Sequence, residues 1–309
     1  MRVVIFGAGA VGSLFGALLA RAGVEVLLVG RPEHVRAIRE RGLSVEGSVE
    51  GCWTLSAMDH LPPTVEVDAA LLTVKSFDLA EASRPLATAL TRTTPILLPQ
   101  NGLGVERIVL ESIRTVGRAP PLLVRAVNTL PATLVAPGRV RYAGSGEVRL
   151  AEPSAEGPMA TAIRAFHDLF ASAGIPVRYL PDLEGALWLK AVVNAAINPV
   201  TAAYGVRNGA LVDEPYHELA ESLVREGVDA AVASGHPLDL DEALRELWRT
   251  VEATSANRSS MLQDVDRGRP TELEFISGAL LRAGESHQRA MPHTRAIIER
   301  VRARAHGTG

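Results

Sequence analysis

Hydrophobic and polar positions fall into two regimes along this chain. In the first part, short apolar runs alternate with stretches of helical period. Arg2–Phe6 reads as a buried strand, Ala10–Ala22 as a helix and Val24–Val29 as a second strand. Arg31–Arg41 reads as helical, Val67–Val74 as a strand and Phe77–Leu90 as a helix. Thr94–Leu98 is a strand ending in Pro99-Gln100-Asn101-Gly102. Short apolar strands separated by helices indicate a parallel sheet covered on both faces. Val140-Arg141-Tyr142 and Val148-Arg149-Leu150 flank Ala143-Gly144-Ser145-Gly146, which reads as a hairpin. A helix over Pro158–Ser172 and a strand Ile175–Leu180 follow. Beyond Pro181 strand-like runs almost vanish, and helical periodicity carries Leu183–Tyr204, Glu214–Ala233, Leu240–Thr254 and Glu272–Ala283. The expectation is an α/β domain over residues 1–181 and an all-α domain over 182–309.

Composition narrows the classes. With 47% apolar residues in 309, each domain has the material for a core, and disorder is excluded. The balance of 32 Lys+Arg against 35 Asp+Glu argues against nucleic acid or an anionic membrane as the main partner. Thirty of the basic residues are arginines, and only Lys75 and Lys190 are lysines. An ammonium can release its proton in a usable pH range, whereas a guanidinium effectively cannot. The single cysteine, Cys52, precludes an intramolecular disulfide and reads as a packing or loop residue. The eight histidines lack metal-ligand spacing, so no metal is expected. Val3–Ala20 carries no charge and follows Met1-Arg2, which mimics a signal peptide. Its four glycines and the strand-like run after Arg21-Ala22-Gly23 favour instead a chain folded from its start, in the cytoplasm.

Gly7-Ala8-Gly9-Ala10-Val11-Gly12 fits G-x-G-x-x-G, here following a strand and opening a helix. The first glycine permits the tight turn, the second lets backbone approach a pyrophosphate, and the third lets helix pack close to strand. The helix N-terminus offers N–H groups to phosphates. The first domain therefore reads as a Rossmann-type dinucleotide-binding domain, with Gly7, Ala8, Gly9, Ala10, Val11 and Gly12 at the cofactor. After the second strand stands Gly30-Arg31 rather than an acidic residue. No carboxylate repels a 2′-phosphate and a guanidinium is present to bind one, which favours NADP(H).

In the second domain Lys190, Asn194 and Asn198 recur every four residues on a helix otherwise rich in Ala, Val, Ile and Leu. They form one polar stripe on a largely buried helix, facing either a ligand or solvent and a neighbouring subunit. Thr271 to Glu274 fits a capping box, with Thr271 as N-cap and Glu272 in the first turn, a sufficient reason for both. Asn101-Gly102 reads as a turn and Lys75 as a strand-end charge. Both lie at carboxyl ends of parallel strands, where ligands bind in open α/β sheets.

Taken together, these residues resemble the ketopantoate reductase (2-dehydropantoate 2-reductase) family, nearly end to end. The resemblance rests on Gly7–Gly12, Gly30-Arg31, Val74-Lys75, Gln100-Asn101-Gly102, Lys190-x3-Asn194-x3-Asn198-Pro199, Asn208-Gly209, Ser259-Ser260-Met261-Leu262-Gln263-Asp264 and Thr271-Glu272. It implies a Rossmann domain joined to an all-helical domain, with the active site in the cleft between them. It implies NADPH-dependent reduction of ketopantoate to pantoate, on the route to pantothenate and coenzyme A. By that resemblance Lys190 is the general acid, and Glu272 lies near it and the cofactor. Asn194, Asn198, Asn208 and Ser260 contact the substrate, and Lys75 and Asn101 line the nicotinamide side. A homodimer through the helical domain is also implied.

One segment departs from the pattern. Arg125-Ala126-Val127-Asn128-Thr129-Leu130-Pro131-Ala132 replaces the small, Gly/Thr-rich stretch expected there, and leaves room for a different 2-oxo acid. A β-hydroxyacid dehydrogenase fits the asparagine stripe and the Ser-Ser-Met-Leu-Gln segment poorly. A regulator that senses NADP(H) without catalysis predicts loss of the proton donor or its partner, yet Lys190 and Glu272 are present.

Overall fold

The computed structural model describes residues 1–154 and 156–307; Thr308 and Gly309, at the end of the expected second domain, lie outside it. The chain forms two compact units, Met1–Gln100 with Val105–Leu183, and Asn101–Gly104 with Glu184–Gly309.

The first unit runs β1 (Arg2–Phe6), α1 (Ala10–Arg21), β2 (Glu25–Val29), α2 (Pro32–Arg41), β3 (Leu43–Gly47), β4 (Gly51–Trp53), β5 (Ser56–Met58) and β6 (Ala69–Leu72). It continues with α3 (Leu79–Ala89), β7 (Ile96–Leu98), α4 (Val105–Thr115), β8 (Leu123–Asn128), β9 (Ala132–Ala136), β10 (Arg139–Tyr142), β11 (Val148–Ala151), α5 (Pro158–Ser172) and β12 (Val177–Leu180). Eight strands form one sheet in the order β12-β11-β8-β7-β6-β1-β2-β5. From β8 to β5 all neighbours are parallel, and β11 is antiparallel to β8. Strand order reverses between β1 and β6, the switch point at which open α/β sheets bind ligands.

Both faces are covered, as continuous apolar strands require. Val3, Ile5, Leu28 and Leu71 face one core with Phe15 of α1 and Phe166 and Phe170 of α5. Val4, Leu27, Leu72 and Leu98 face another with Leu79 and Leu86 of α3 and Val109 and Ile113 of α4. Phe15 and Phe170 stack with centroids 5.2 Å apart, pinning α1 to α5.

The expected hairpin does not form. β10 pairs with β9 and β3 in a separate four-stranded sheet, whereas β11 belongs to the large one. The connecting residues bond to an earlier loop instead of across their own turn: Ala143 N–H donates to Pro131 O (3.1 Å), and Thr129 N–H to Glu147 O (3.0 Å). A Cβ on Gly146 would stand 2.6 Å from Thr129 O, so glycine here serves close passage beside that loop. The tight turn lies one step earlier, at Gly138 (φ +75°) between β9 and β10. Cys52 lies exposed on β4.

The second unit comprises α6 (Leu183–Tyr204), a 3₁₀ turn (Asn208–Val212), α7 (Tyr216–Ala233), α8 (Leu240–Ala253), α9 (Ser260–Asp266), α10 (Ser277–Ser286) and α11 (Pro292–Gly307). Val192, Ala196, Ile197 and Val200 of α6 pack with Val224 and Val228 of α7, Leu247 and Val251 of α8, and Ile297 and Val301 of α11. Gly227 brings α7 close to α6, since a Cβ there would lie 3.0 Å from the Val192 methyl groups. The buried Glu226 carboxylate caps α11, accepting from the N–H groups of His293 and Thr294 (2.8 Å each) and from Thr294 Oγ1 (2.7 Å). Among the described residues no helix is long and apolar enough to cross a membrane.

The capping box also fails: the helix starts at Ser277, after a bend at Glu272 and a turn over residues 273–276. The carbonyl of Phe275, which a continuous helix would use internally, accepts instead from Leu103 N–H (3.2 Å). Thr271 Oγ1 accepts a long contact from Leu273 N–H (3.4 Å). Glu272 therefore sits in a buried turn, and a helix first turn does not explain it.

Candidate active site

The glycine loop shows three distinct physical reasons for its three motif glycines. Gly7 has φ +115°, and a Cβ would stand 2.4 Å from Val74 N, so the turn and the chain after β6 both demand glycine. At Gly12 a Cβ would lie 2.3 Å from Gly7 O, where α1 closes on the loop. Gly9 is different. Its backbone (φ −85°, ψ −157°) suits other residues, and the nearest protein atom to a built Cβ is Gly7 O at 4.0 Å. Neither conformation nor packing asks for glycine at Gly9, which leaves the space beside it open to a group from outside the protein. α1 starts at Ala10 with no side-chain cap and no acidic residue in its first turn, as an anion site requires. These residues fit a dinucleotide pyrophosphate.

The neighbouring segments are tied to this loop. Gly7 and Ala8 N–H groups donate to Val29 O (2.9 Å each), at the end of β2. Gly30 follows, and its Cβ would strike Ala8 Cβ at 2.6 Å. Arg31, the exposed N-cap residue of α2, therefore begins directly beside the glycine loop. Burial pushes the Asp78 carboxyl up, and the nearby Arg31 guanidinium opposes that rise. Thr73 Oγ1 donates to Gly7 O (2.8 Å), which sets Lys75, two residues on and half-buried, at the same edge.

In the second unit α6 carries the polar stripe as expected, with Lys190 and Asn194 half-buried and Asn198 buried. One turn beyond Asn198 the buried Thr201 hydroxyl donates to Ser259 Oγ (2.6 Å), which accepts from Leu262 N–H (3.1 Å) as N-cap of α9. That pair holds the start of α9 against α6; Ser260 is its first residue and is exposed. Asn208 is buried in the 3₁₀ turn and donates backbone N–H to Asn257 O (3.0 Å). Its Nδ2 donates to Thr254 Oγ1 (2.9 Å), whose own proton goes to Thr250 O (2.6 Å). The amide is thereby oriented, and Asn208 Oδ1 is left buried without a protein partner. Asn101 and Gly102 group with this unit, Gly102 (φ +90°) packing so tightly that a Cβ would meet Phe275 O at 2.4 Å.

Thus Gly7–Gly12, Gly30, Arg31 and Lys75 assemble at the carboxyl edge of the parallel sheet. Lys190, Asn194 and Asn198 share one helix, Asn208 stands on the 3₁₀ turn, and Ser260 opens α9. Sequence reasoning missed Thr201 and Thr254, and the cap made by Ser259, which orient candidate residues through single hydroxyls. Arg125 stood out in the sequence only as the start of the divergent 125–132 segment; its burial and its pairing with Glu106 carry no local signal.

A parallel sheet with this glycine loop, preceding a helical unit with a lysine–asparagine stripe, defines a dinucleotide-dependent oxidoreductase. Two family models match the chain, ketopantoate reductase PanE/ApbA over residues 3–155 and its C-terminal model over 182–305. The chain belongs to the ketopantoate reductase family, oxidoreductases acting on a CH–OH group. It is 35% identical over 283 residues to a 2-dehydropantoate 2-reductase of Pyrococcus horikoshii (91% of this chain, 90% of that one). It is 36% identical over 310 residues to that of Halobacterium salinarum (98% of each). A crystal structure of a ketopantoate reductase from Ralstonia eutropha JMP134 superposes with TM-score 0.88 at 30% identity, covering 99% of each chain. The structure of a D-mandelate dehydrogenase with NADH and anilino(oxo)acetate gives 0.90 at 27%, also covering 99% of each.

Proposed function

We propose that the protein reduces 2-dehydropantoate to (R)-pantoate with NADPH, in the cytoplasmic route to pantothenate and coenzyme A, as a homodimer through the helical unit. The observation that carries this reading is the stripe of Lys190, Asn194 and Asn198 on a helix whose other positions are mostly buried. A bound nicotinamide supplies the hydride. Gly7, Ala8, Gly9, Ala10, Val11 and Gly12 receive the pyrophosphate, and Arg31 the 2′-phosphate. Lys75 and Asn101 flank the nicotinamide. Lys190 gives its proton to the oxygen that gains charge as the ketone carbon is reduced, and its ammonium stabilises that charge beforehand. Glu272 supports Lys190 and the cofactor, and Asn194, Asn198, Asn208 and Ser260 hold the substrate's polar groups.

The likeness to D-mandelate dehydrogenase, with the divergent 125–132 segment, favours one second reading, a reductase of another 2-oxo acid. Oxidation of NADPH and of NADH with ketopantoate, benzoylformate and other 2-oxo acids separates them. The expected result is the highest kcat/KM for ketopantoate with NADPH. Rapid turnover of another acid, with none of ketopantoate, sinks the first reading.

A further inference from the structure

A buried polar relay ties together three strand ends at the carboxyl edge of the large sheet. Arg125 on β8 is 8% exposed and stands in register with Leu98 of β7. Its Nη1 donates to the carbonyls of Leu98 (3.2 Å) and Gln100 (3.4 Å), and its Nε meets the carboxylate of Glu106 on α4. Gln100 is 7% exposed, and its Nε2 donates to Leu72 O and to Val74 O (3.3 Å) at the end of β6. Those two carbonyls fix which way the amide points, because the reverse orientation would set oxygen against oxygen. Gln100 Oε1 is consequently buried without a protein partner. A buried charge and a buried amide at a loop are expensive to keep unless they hold something in place.

What they hold is specific. Arg125 grips the carbonyl of Gln100, whose peptide leads into Asn101, and Gln100 grips the carbonyl of Val74, whose peptide leads into Lys75. We propose that Arg125 and Gln100 are positioning residues, a Glu106–Arg125–Gln100 relay that sets Lys75 and Asn101 for the nicotinamide half of the cofactor. The inference rests on the cofactor reading above. It gives the divergent 125–132 segment a role: bulk and charge replace small residues at its first position in order to brace the strand ends from below.

The test is binding, measured separately for NADPH and for 2′-phospho-ADP-ribose, which lacks nicotinamide. Arg125→Gln should weaken NADPH about tenfold, the worth of one good hydrogen bond, while the fragment stays within about twofold of wild type. Gln100→Met, close in volume and uncharged, should show the same split and serves if Arg125→Gln does not fold. Unchanged NADPH affinity in the folded variants, or equal weakening of both ligands, overturns the relay. Wild-type protein that binds neither ligand refutes instead the cofactor reading beneath it.

Discussion

Gly9→Ala separates ligand binding from folding more cleanly than any other change in the glycine loop. Beyond its own chain neighbours the added methyl finds nothing nearer than Gly7 O at 4.0 Å, and the backbone angles are open to alanine. Removing glycine restricts the unfolded chain, a gain of about 0.4–1 kcal/mol, while alanine is a poorer N-cap by up to about 1 kcal/mol. The two offset, so stability should stay within about 1 kcal/mol of wild type. On the proposed cofactor reading, the same methyl would occupy the space through which a pyrophosphate would meet backbone N–H groups. Overpacking by one methyl costs about 1–3 kcal/mol, a weakening of roughly 5- to 150-fold in NADPH affinity. Gly7→Ala makes the contrast, with φ +115° and a contact of 2.4 Å to Val74 N that should cost more than about 3 kcal/mol of stability. Fluorescence titration with NADPH and urea unfolding of both variants give the two quantities. Gly9→Ala that binds NADPH like wild type would refute the reasoning, and so would one that unfolds as readily as Gly7→Ala.

Two further outcomes follow from groups away from the site. His34 is buried between Ser13 Oγ (2.9 Å from Nε2) and Gly138 N–H (2.9 Å to Nδ1), and burial holds its pKa below the usual value. The unfolded chain therefore takes up that proton first, so the contribution of His34 is complete above about pH 6.5 and is lost as pH falls. Urea midpoints between pH 7.5 and 5 should decline less in His34→Gln than in wild type; parallel declines would exclude His34 as the source. Glu226→Ala leaves the N–H groups of His293 and Thr294 and the Thr294 hydroxyl at the start of α11 without their acceptor and should cost about 2–3 kcal/mol. A urea midpoint indistinguishable from wild type would show that the cap contributes nothing.

Legibility followed the range of the interactions. α5 (Pro158–Ser172) and α6 (Leu183–Tyr204) match the periodicity residue for residue, because a helix face is written in its own spacing. The glycine loop was equally plain, since its spacing is a local pattern, although Val74 adds a distant demand at Gly7. The hairpin at 140–150 failed because β10 has β9 and β3 on its two edges while β11 has β8 and β12, so neither has an edge left for the other. The capping box at Thr271 failed because Leu103, distant in sequence, takes the Phe275 carbonyl. The stripe on α6 was visible, but Thr201, Thr254 and Arg125 act through partners far along the chain, and their residue types are common. Candidate residues that belong to a motif stand out in the sequence; those that orient them required the fold.

The division of labour assigned to the two units is tested most directly by Lys190→Ala, followed by single-turnover reduction of ketopantoate with bound NADPH. NADPH affinity should remain at the wild-type level, because the glycine loop and Arg31 are untouched. Turnover should fall by on the order of 10²-fold or more, the loss expected on removing a general acid. Near-normal turnover with intact NADPH binding would show that the proton comes from elsewhere and would contradict the mechanism.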